Sequence, residues 1–246
     1  MDGKRNGKGK EYNLKGKLRF EGVYINGVRN GRGKEYNNKN KRVFEGEFLN
    51  GIKWNGKGYD DNNNIIYEIK NGKGNIKEYS YYNDELEYEG EYLNGKRNGK
   101  GKEYYENGNL KFDGEYLNNK KWDGKGYDAK NNVIYEIKNG NGYIKEYNDN
   151  NKLKYEGGYL NGEKSGKGKE YSYNGKLEFE GEFLNGKTWN GIGKEYYDNG
   201  KLRYEGEFLN GIINGNGKEY HFGLFKFDIK YLKGKKYWIF LIIKFF

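Results

Sequence analysis

The chain has 246 residues, 33% of them apolar and 18% aromatic, with 41 glycines and neither proline nor cysteine. Without cysteine there are no disulfides or thiolate zinc sites, and His221, the one histidine, rules out a two-histidine metal site. The formal charge of +10 admits anionic partners but says nothing about fold. Aromatic residues at fixed spacing argue against the disorder that a polar, Lys- and Asn-rich composition otherwise suggests. Met1-Asp2-Gly3-Lys4-Arg5-Asn6 carries no apolar run of the signal-peptide kind. No stretch approaches the ~20 apolar residues of a membrane-spanning helix.

The chain opens inside a repeating unit. Asp2-Gly3-Lys4-Arg5-Asn6-Gly7-Lys8-Gly9-Lys10-Glu11-Tyr12 copies the second half of a longer pattern, seen whole from Tyr88 to Tyr104. Two accounts are open, a fragment or a terminal half-unit. The full pattern starts with an aromatic-acid-Gly triplet, led by Phe20, Phe44, Tyr88, Phe112, Tyr155, Phe179 and Tyr204. Weaker copies with isoleucine in place of glycine end in Ile69, Ile137 and Ile229. From Phe20 the spacings are 24, 23, 21, 24, 23, 20, 24, 25 and 23 residues, or about ten units. Phe20 to Tyr88, Phe44 to Phe112 and Tyr67 to Tyr135 are each 68 residues, so a three-unit block is duplicated.

Within a unit, Leu86, Tyr88, Gly90 and Tyr92 alternate with Glu87, Glu89 and Glu91, the period of a half-buried strand. Asn94-Gly95, followed by Asn98-Gly99, signals the hairpin end. Asn107-Gly108, Asn174-Gly175 and Asn199-Gly200 mark a second turn at the other edge. Two turns per unit make an antiparallel meander. Glycine at this density opposes helix, at ~1 kcal/mol per residue relative to alanine. A glycine between strand positions leaves a flat spot on which a neighbouring ring can lie. The seven triplet aromatics are therefore expected to form one structural row.

Aromatic-Glu-Gly-Glu-aromatic, then Asn-Gly, then Gly-Lys-Gly, resembles the MORN (membrane occupation and recognition nexus) repeat from Asp2 to about Lys236. Ile69, Ile137, Ile229 and the spacings of 20 and 21 depart from the pattern. The resemblance implies an all-β fold, an elongated single-layer twisted antiparallel meander of about ten MORN-type β-hairpin repeats, ~100 Å long. It places the array at residues 1–236 and leaves an apolar tail at 237–246. It also implies binding rather than chemistry. The family occurs in junctional scaffolds, cytoskeletal organisers and non-catalytic regions of lipid kinases and methyltransferases, and similar bacterial proteins include antitoxin partners of toxins.

The residues themselves offer little catalysis. His221 is read as a surface histidine in a degenerate unit, since a triad needs a base beside a nucleophile. Gly51-Ile52-Lys53-Trp54-Asn55-Gly56-Lys57 starts like a phosphate loop, but Gly58 stands where Ser or Thr would hold magnesium. Glu89, Glu91, Glu180, Glu182, Glu205 and Glu207 alternate with lysines and read as a solvated face. No cofactor is expected.

Cations gather after the Asn-Gly turn: Arg29, Arg32, Lys96, Arg97, Lys100, Lys120, Lys121, Lys125, Lys164 and Lys167. Hairpins in register would set them along one edge about 10 Å apart. They are read as a surface for anionic lipid or an acidic protein, against the blander role of solubility and edge protection. Nucleic acid is disfavoured, because the aromatics are committed to the stack and the glutamates repel phosphate. The expected function is a non-enzymatic scaffold or adaptor, binding protein partners and an anionic phospholipid membrane surface. The expected location is cytoplasmic, peripheral at a membrane. The alternative is an antitoxin-like protein that neutralises a toxin by binding it. The tail, Trp238 to Phe246, is expected to cap the last hairpin or to make a shallow anchor or dimer contact, with a homo-oligomer formed through an array end; a truncated or frame-shifted gene end is the third account.

Overall fold

The computed structural model describes residues 4–197, 199–221 and 225–238, and every regular element among them is a strand. Of His221, Phe225, Lys226 and Trp238 only the backbone is described, and the tail from residue 239 lies outside the described residues. The chain divides into two compact units, Met1–Asn132 and Val133–Phe246. The first holds β1 (Gly7–Tyr12), β2 (Leu18–Ile25), β3 (Val28–Tyr36), β4 (Arg42–Leu49), β5 (Ile52–Tyr59), β6 (Ile65–Ile69), β7 (Gly74–Tyr79), β8 (Leu86–Leu93), β9 (Lys96–Tyr104), β10 (Leu110–Leu117) and β11 (Lys120–Tyr127). There β1–β6 form one sheet in chain order, and β7–β11 follow in order in a second. The second unit holds β12 (Val133–Ile137), β13 (Gly142–Tyr147), β14 (Leu153–Leu160), β15 (Glu163–Tyr171), β16 (Leu177–Leu184), β17 (Lys187–Tyr196), β18 (Leu202–Leu209), β19 (Ile212–His221), β20 (Phe225–Leu232) and β21 (Lys235–Trp238). There β13–β21 make one antiparallel sheet in chain order. The architecture is the all-β meander that the turn spacing predicts.

The Asn-Gly hairpin ends take the two-residue turn with both residues left-handed. Asn26, Asn50, Asn94, Asn161, Asn185 and Asn210 have φ of 49–53°, and the glycines after them 71–85°. Asparagine tolerates this region where most residues do not, and the turn's twist matches that of the strands. Turns of successive units are tied together: Gly51 N–H donates to Arg29 O at 2.8 Å, and Gly186 N–H to Lys164 O at 2.9 Å. Asn98-Gly99 is not a second turn. It lies inside β9, at the bulge opposite Gly90/Tyr92, with Gly99 at φ 97°. Its side chain caps the neighbouring unit, as Asn98 Oδ1 accepts from Asn118 N–H at 3.2 Å.

At the other edge the loops often begin with Asn or Asp. Asn37 Oδ1 accepts from the N–H groups of Lys39 and Lys41, and Asp128 Oδ1 from those of Lys130 and Asn132. These Asx turns satisfy backbone donors that the short loop leaves free.

The seven triplet rings all form the core. Phe20, Phe44, Tyr88, Phe112 and Tyr155 are 0% exposed, and Phe179 and Tyr204 are 3% exposed. A second ring four residues on packs edge-to-face across units, as in Phe20–Phe48 at 5.1 Å and Tyr88–Tyr116 at 5.3 Å between centroids. Glycine is required beneath them. A Cβ on Gly33 would stand 2.5 Å from Phe20 Cζ. Gly22, Gly33, Gly46 and Gly56 are cross-strand partners in turn, so the flat spot is a continuous lane.

The units ending in Ile69 and Ile137 have a shorter hairpin, whereas the Ile229 unit keeps the full one with Tyr231 as its second ring. After Ile69 the chain turns at once, with Lys70 and Lys73 exchanging backbone hydrogen bonds of 2.9 and 3.0 Å. The acid-aromatic-Leu segment that supplies the second ring is missing there, which explains the spacings of 21 and 20. Ile69, Ile76, Ile137 and Ile144 fill the space instead, each at most 3% exposed, and Ile229, 0% exposed, lies opposite Gly217 in the glycine lane. In the first unit the longer loop from Ser80 to Glu85 reaches back over the first sheet. Asp84 accepts from Asn38 N–H at 2.9 Å and sits 3.4 Å from Arg19 Nη1, itself 9% exposed.

Candidate functional site

The second residue after each turn points onto the ring face. There Arg29 donates to Glu35 at 2.6 Å and to Glu11, with its guanidinium 4.2 Å from the Phe20 ring centre. Lys53 lies 2.8 Å from the same Glu35 and 4.8 Å from the Phe44 ring centre. Arg97 repeats the arrangement with Glu103 at 2.7 Å, with Glu78, and with the Tyr88 ring at 4.1 Å. Lys121 joins Glu103 at 3.0 Å over Phe112, and Lys164 joins Glu170 at 2.5 Å over Tyr155. The ring quadrupole and the carboxylate both attract each cation.

Charge balance follows the geometry. Burial pushes the Glu35 and Glu103 carboxyls up, but Lys53 with Arg29, and Lys121 with Arg97, outweigh it and hold both below the usual carboxylate range. Burial likewise opposes charge on Lys53, and Glu35 more than restores it, so its ammonium is held above the usual range. Burial, then the hydrogen bond to Glu11, pushes the Tyr24 phenol up to about 12.

The opposite face carries charges of alternating sign on successive strands. Lys34–Glu45 at 3.6 Å, Lys77–Glu89 at 3.2 Å, Lys169–Glu180 at 3.3 Å and Lys194–Glu205 at 3.2 Å are cross-strand pairs. Exposed Arg32, Lys100, Lys125 and Lys167 stand opposite Glu47, Glu115, Asp113 and Glu182 in register. Shallow grooves with glycine in the floor run between these rows, one of about 850 Å³ over Gly22–Gly33–Gly46 and others of about 250 and 460 Å³ in the second unit.

The ten cations singled out by the sequence therefore do not share one edge. Arg29, Arg97, Lys121 and Lys164 are clamped on the rings. Arg32, Lys100, Lys125 and Lys167 face the other way, and Lys96 and Lys120 sit first after the turn. Adjacent strand residues point to opposite faces, which divides Lys96 from Arg97 and Lys120 from Lys121. Sequence reasoning missed Lys53 and the clamping glutamates Glu11, Glu35, Glu78, Glu103 and Glu170. The signal was present: Arg29/Glu35, Arg97/Glu103 and Lys164/Glu170 are each six residues apart, an even separation.

Gly51 to Lys57 is hairpin end and strand, with no helix after it. The side chain of His221 lies outside the described residues. Among the described residues no cluster of three His, Cys, Asp or Glu could hold a metal, and no helix is long and apolar enough to cross a membrane.

The MORN repeat family model matches residues 1–13, 20–41, 88–110, 155–176, 179–201 and 204–221. The unmatched stretches include Trp54, Trp122 and the shortened hairpins at Ile69 and Ile137. No curated protein matches. Among solved structures, the crystal structures of TcdB2-TccC3-Cdc42 and TcdB2-TccC3-TEV are similar at 10% identity, over 91% and 92% of this chain, with TM-scores of 0.20 and 0.21. The chain covers 14% of the length of each.

Proposed function

This chain is a MORN repeat protein, and from that premise we propose that it is a non-enzymatic scaffold whose outer, alternately charged sheet faces take protein partners. One observation carries the reading. The ring face is filled by packed aromatics, and its clamped cations are neutralised by half-buried carboxylates. The outer face keeps exposed charge of both signs beside glycine-floored grooves. Alternating charge favours a partner of matching pattern and penalises others, which is specificity more than raw affinity. The test is cross-linking of the tagged chain in its native extract, with mass spectrometry of the products. Defined partners cross-linked through Lys34, Lys100 or Lys167, and lost in a Lys34→Glu, Lys100→Glu, Lys167→Glu variant, support it. Partners that join only through the hairpin ends, or none above background, refute it.

An anionic membrane surface is the second reading. Leu93 and Leu117, 42% and 40% exposed, stand at hairpin ends beside Lys96 and Lys120. Each cation near such a surface contributes about 1 kcal/mol, screened by salt. Phosphatidylserine vesicles should then sediment the chain at low salt, and Lys96→Glu with Lys100→Glu should release it. A wild-type chain left in the supernatant rules this reading out. Arg97 and Lys121 are unsuitable for such reversal, because they are part of the packed face.

A further inference from the structure

The outer row just past the triplet glycine is acidic at Glu47, Glu91, Glu115, Glu182 and Glu207, each beside a strand that carries cations. In β2 that position is Val23. Its side chain lies against β3, where a Cβ on Gly31 would stand 3.4 Å from Val23 Cβ. Lys8 of β1 is opposite Val23 in register, and Arg32 of β3 borders the same groove. Lys10 and Lys34, one row away, have Glu21 and Glu45 at 3.7 and 3.6 Å. Lys8 and Arg32 make no ion pair among the described residues. The other repeat that lacks the acid, at Gly158, has Tyr143 opposite it, so no such pair of cations arises there.

We propose that Lys8 and Arg32, on either side of Val23, bind a carboxylate side chain of a polypeptide partner. This rests on the scaffold reading and names the chemistry its partner presents. The two strands are about 10 Å apart at the backbone, a span that both long side chains can close from opposite sides. Arginine meets a carboxylate with a two-pronged fork, and the valine methyls give the partner's methylenes an apolar seat. The rim carries both signs: Glu47 follows Arg32 across the next strand, and Glu21 and Glu45 line the parallel row. A uniformly anionic lipid surface would meet those glutamates, whereas a peptide with an acid and, about 10 Å on, a base meets complementary charge at both places.

The probe is a blocked hexapeptide, Gly-Glu-Gly-Gly-Lys-Gly, titrated into the full chain and followed by amide NMR at low salt. Saturable shifts at Gly9, Gly22 and Gly33, absent when the peptide's Glu is Gln, are expected. Val23→Glu restores the residue that the other repeats tolerate, so the fold should survive. It should weaken the peptide at least tenfold, while Lys130→Glu, exposed in the loop after β11, should leave it unchanged. Unaltered affinity in Val23→Glu, or equal shifts with the Gln peptide, overturns the site. Saturation by phosphatidylserine vesicles that is abolished by Val23→Glu, with no peptide response, overturns the polypeptide assignment. A Val23→Glu chain that keeps both its peptide affinity and its cross-linked partners removes this site and leaves the scaffold. Peptide binding lost in Val23→Glu supports the site even where cross-linking finds no partner.

Discussion

Glu103 shows how much one side chain carries. It holds Arg97 at 2.7 Å and Lys121 at 3.0 Å, with those cations 21% and 12% exposed. Glu103→Gln leaves two half-buried cations without their shared anion, at a cost of about 3 kcal/mol, read as a lower urea midpoint at pH 7. The pH dependence has a definite sign. A carboxylate held below its ordinary value near 4.5 contributes stability fully present above that value, and lost as pH falls through the folded-state value. Wild type should therefore lose stability on acidification from about pH 5. Glu103→Gln should lose less over the same range, and equal losses would place the acid sensitivity elsewhere. Glycine at two positions gives a second contrast. A Cβ on Gly114 would meet Asp123 O at 2.1 Å, so Gly114→Ala should cost about 3 kcal/mol. Gly108 has open space and a φ of 79°, so Gly108→Ala should cost only about 1 kcal/mol of backbone strain. A reversed order in thermal melts would contradict the packed lane.

At the scale of the hairpin, the turn and its cap can be separated. Asn94 has a φ of 52°, and Asn94→Ala should cost about 1 kcal/mol through that strained backbone, seen as a lower urea midpoint. Asn94→Gly should cost much less, because glycine takes the same conformation freely. The hairpin is also where sequence reading worked best. Its rings, its Asn-Gly ends and the replacement of glycine by isoleucine are local patterns with one physical meaning each. Asn98-Gly99 misled because the same dipeptide serves a turn in one place and a bulge with a capping amide in another. The faces of the cations were hidden for a related reason. A bulge at Glu115/Tyr116 shifts the alternation, so parity counted from the turn does not carry to Lys125. The contact of Arg19 with Asp84 spans 65 residues and depends on a loop reaching back over a sheet. No periodicity encodes that.

Over the whole molecule, each sheet pairs strands only with their neighbours in the chain. Stability in such an array is nearly a sum of unit terms and neighbour terms, so damage should stay local. Phe112 tests this within the first unit. Its ring is 0% exposed, meets Tyr116 edge-to-face at 5.5 Å, and lies under Lys121 at 5.0 Å. Phe112→Ala removes the ring from a lane whose glycines, Gly114 and Gly124, have no side chains to fill the void. The cost should be about 3–4 kcal/mol in the affected segment. Hydrogen exchange should speed most in β8–β11, which share its sheet. Amides of β16–β19 build an equivalent core around Phe179 and Tyr204 without it, and should keep their protection. Equal loss of protection in both regions would show that the chain unfolds as one cooperative body, and the neighbour-only account would fail.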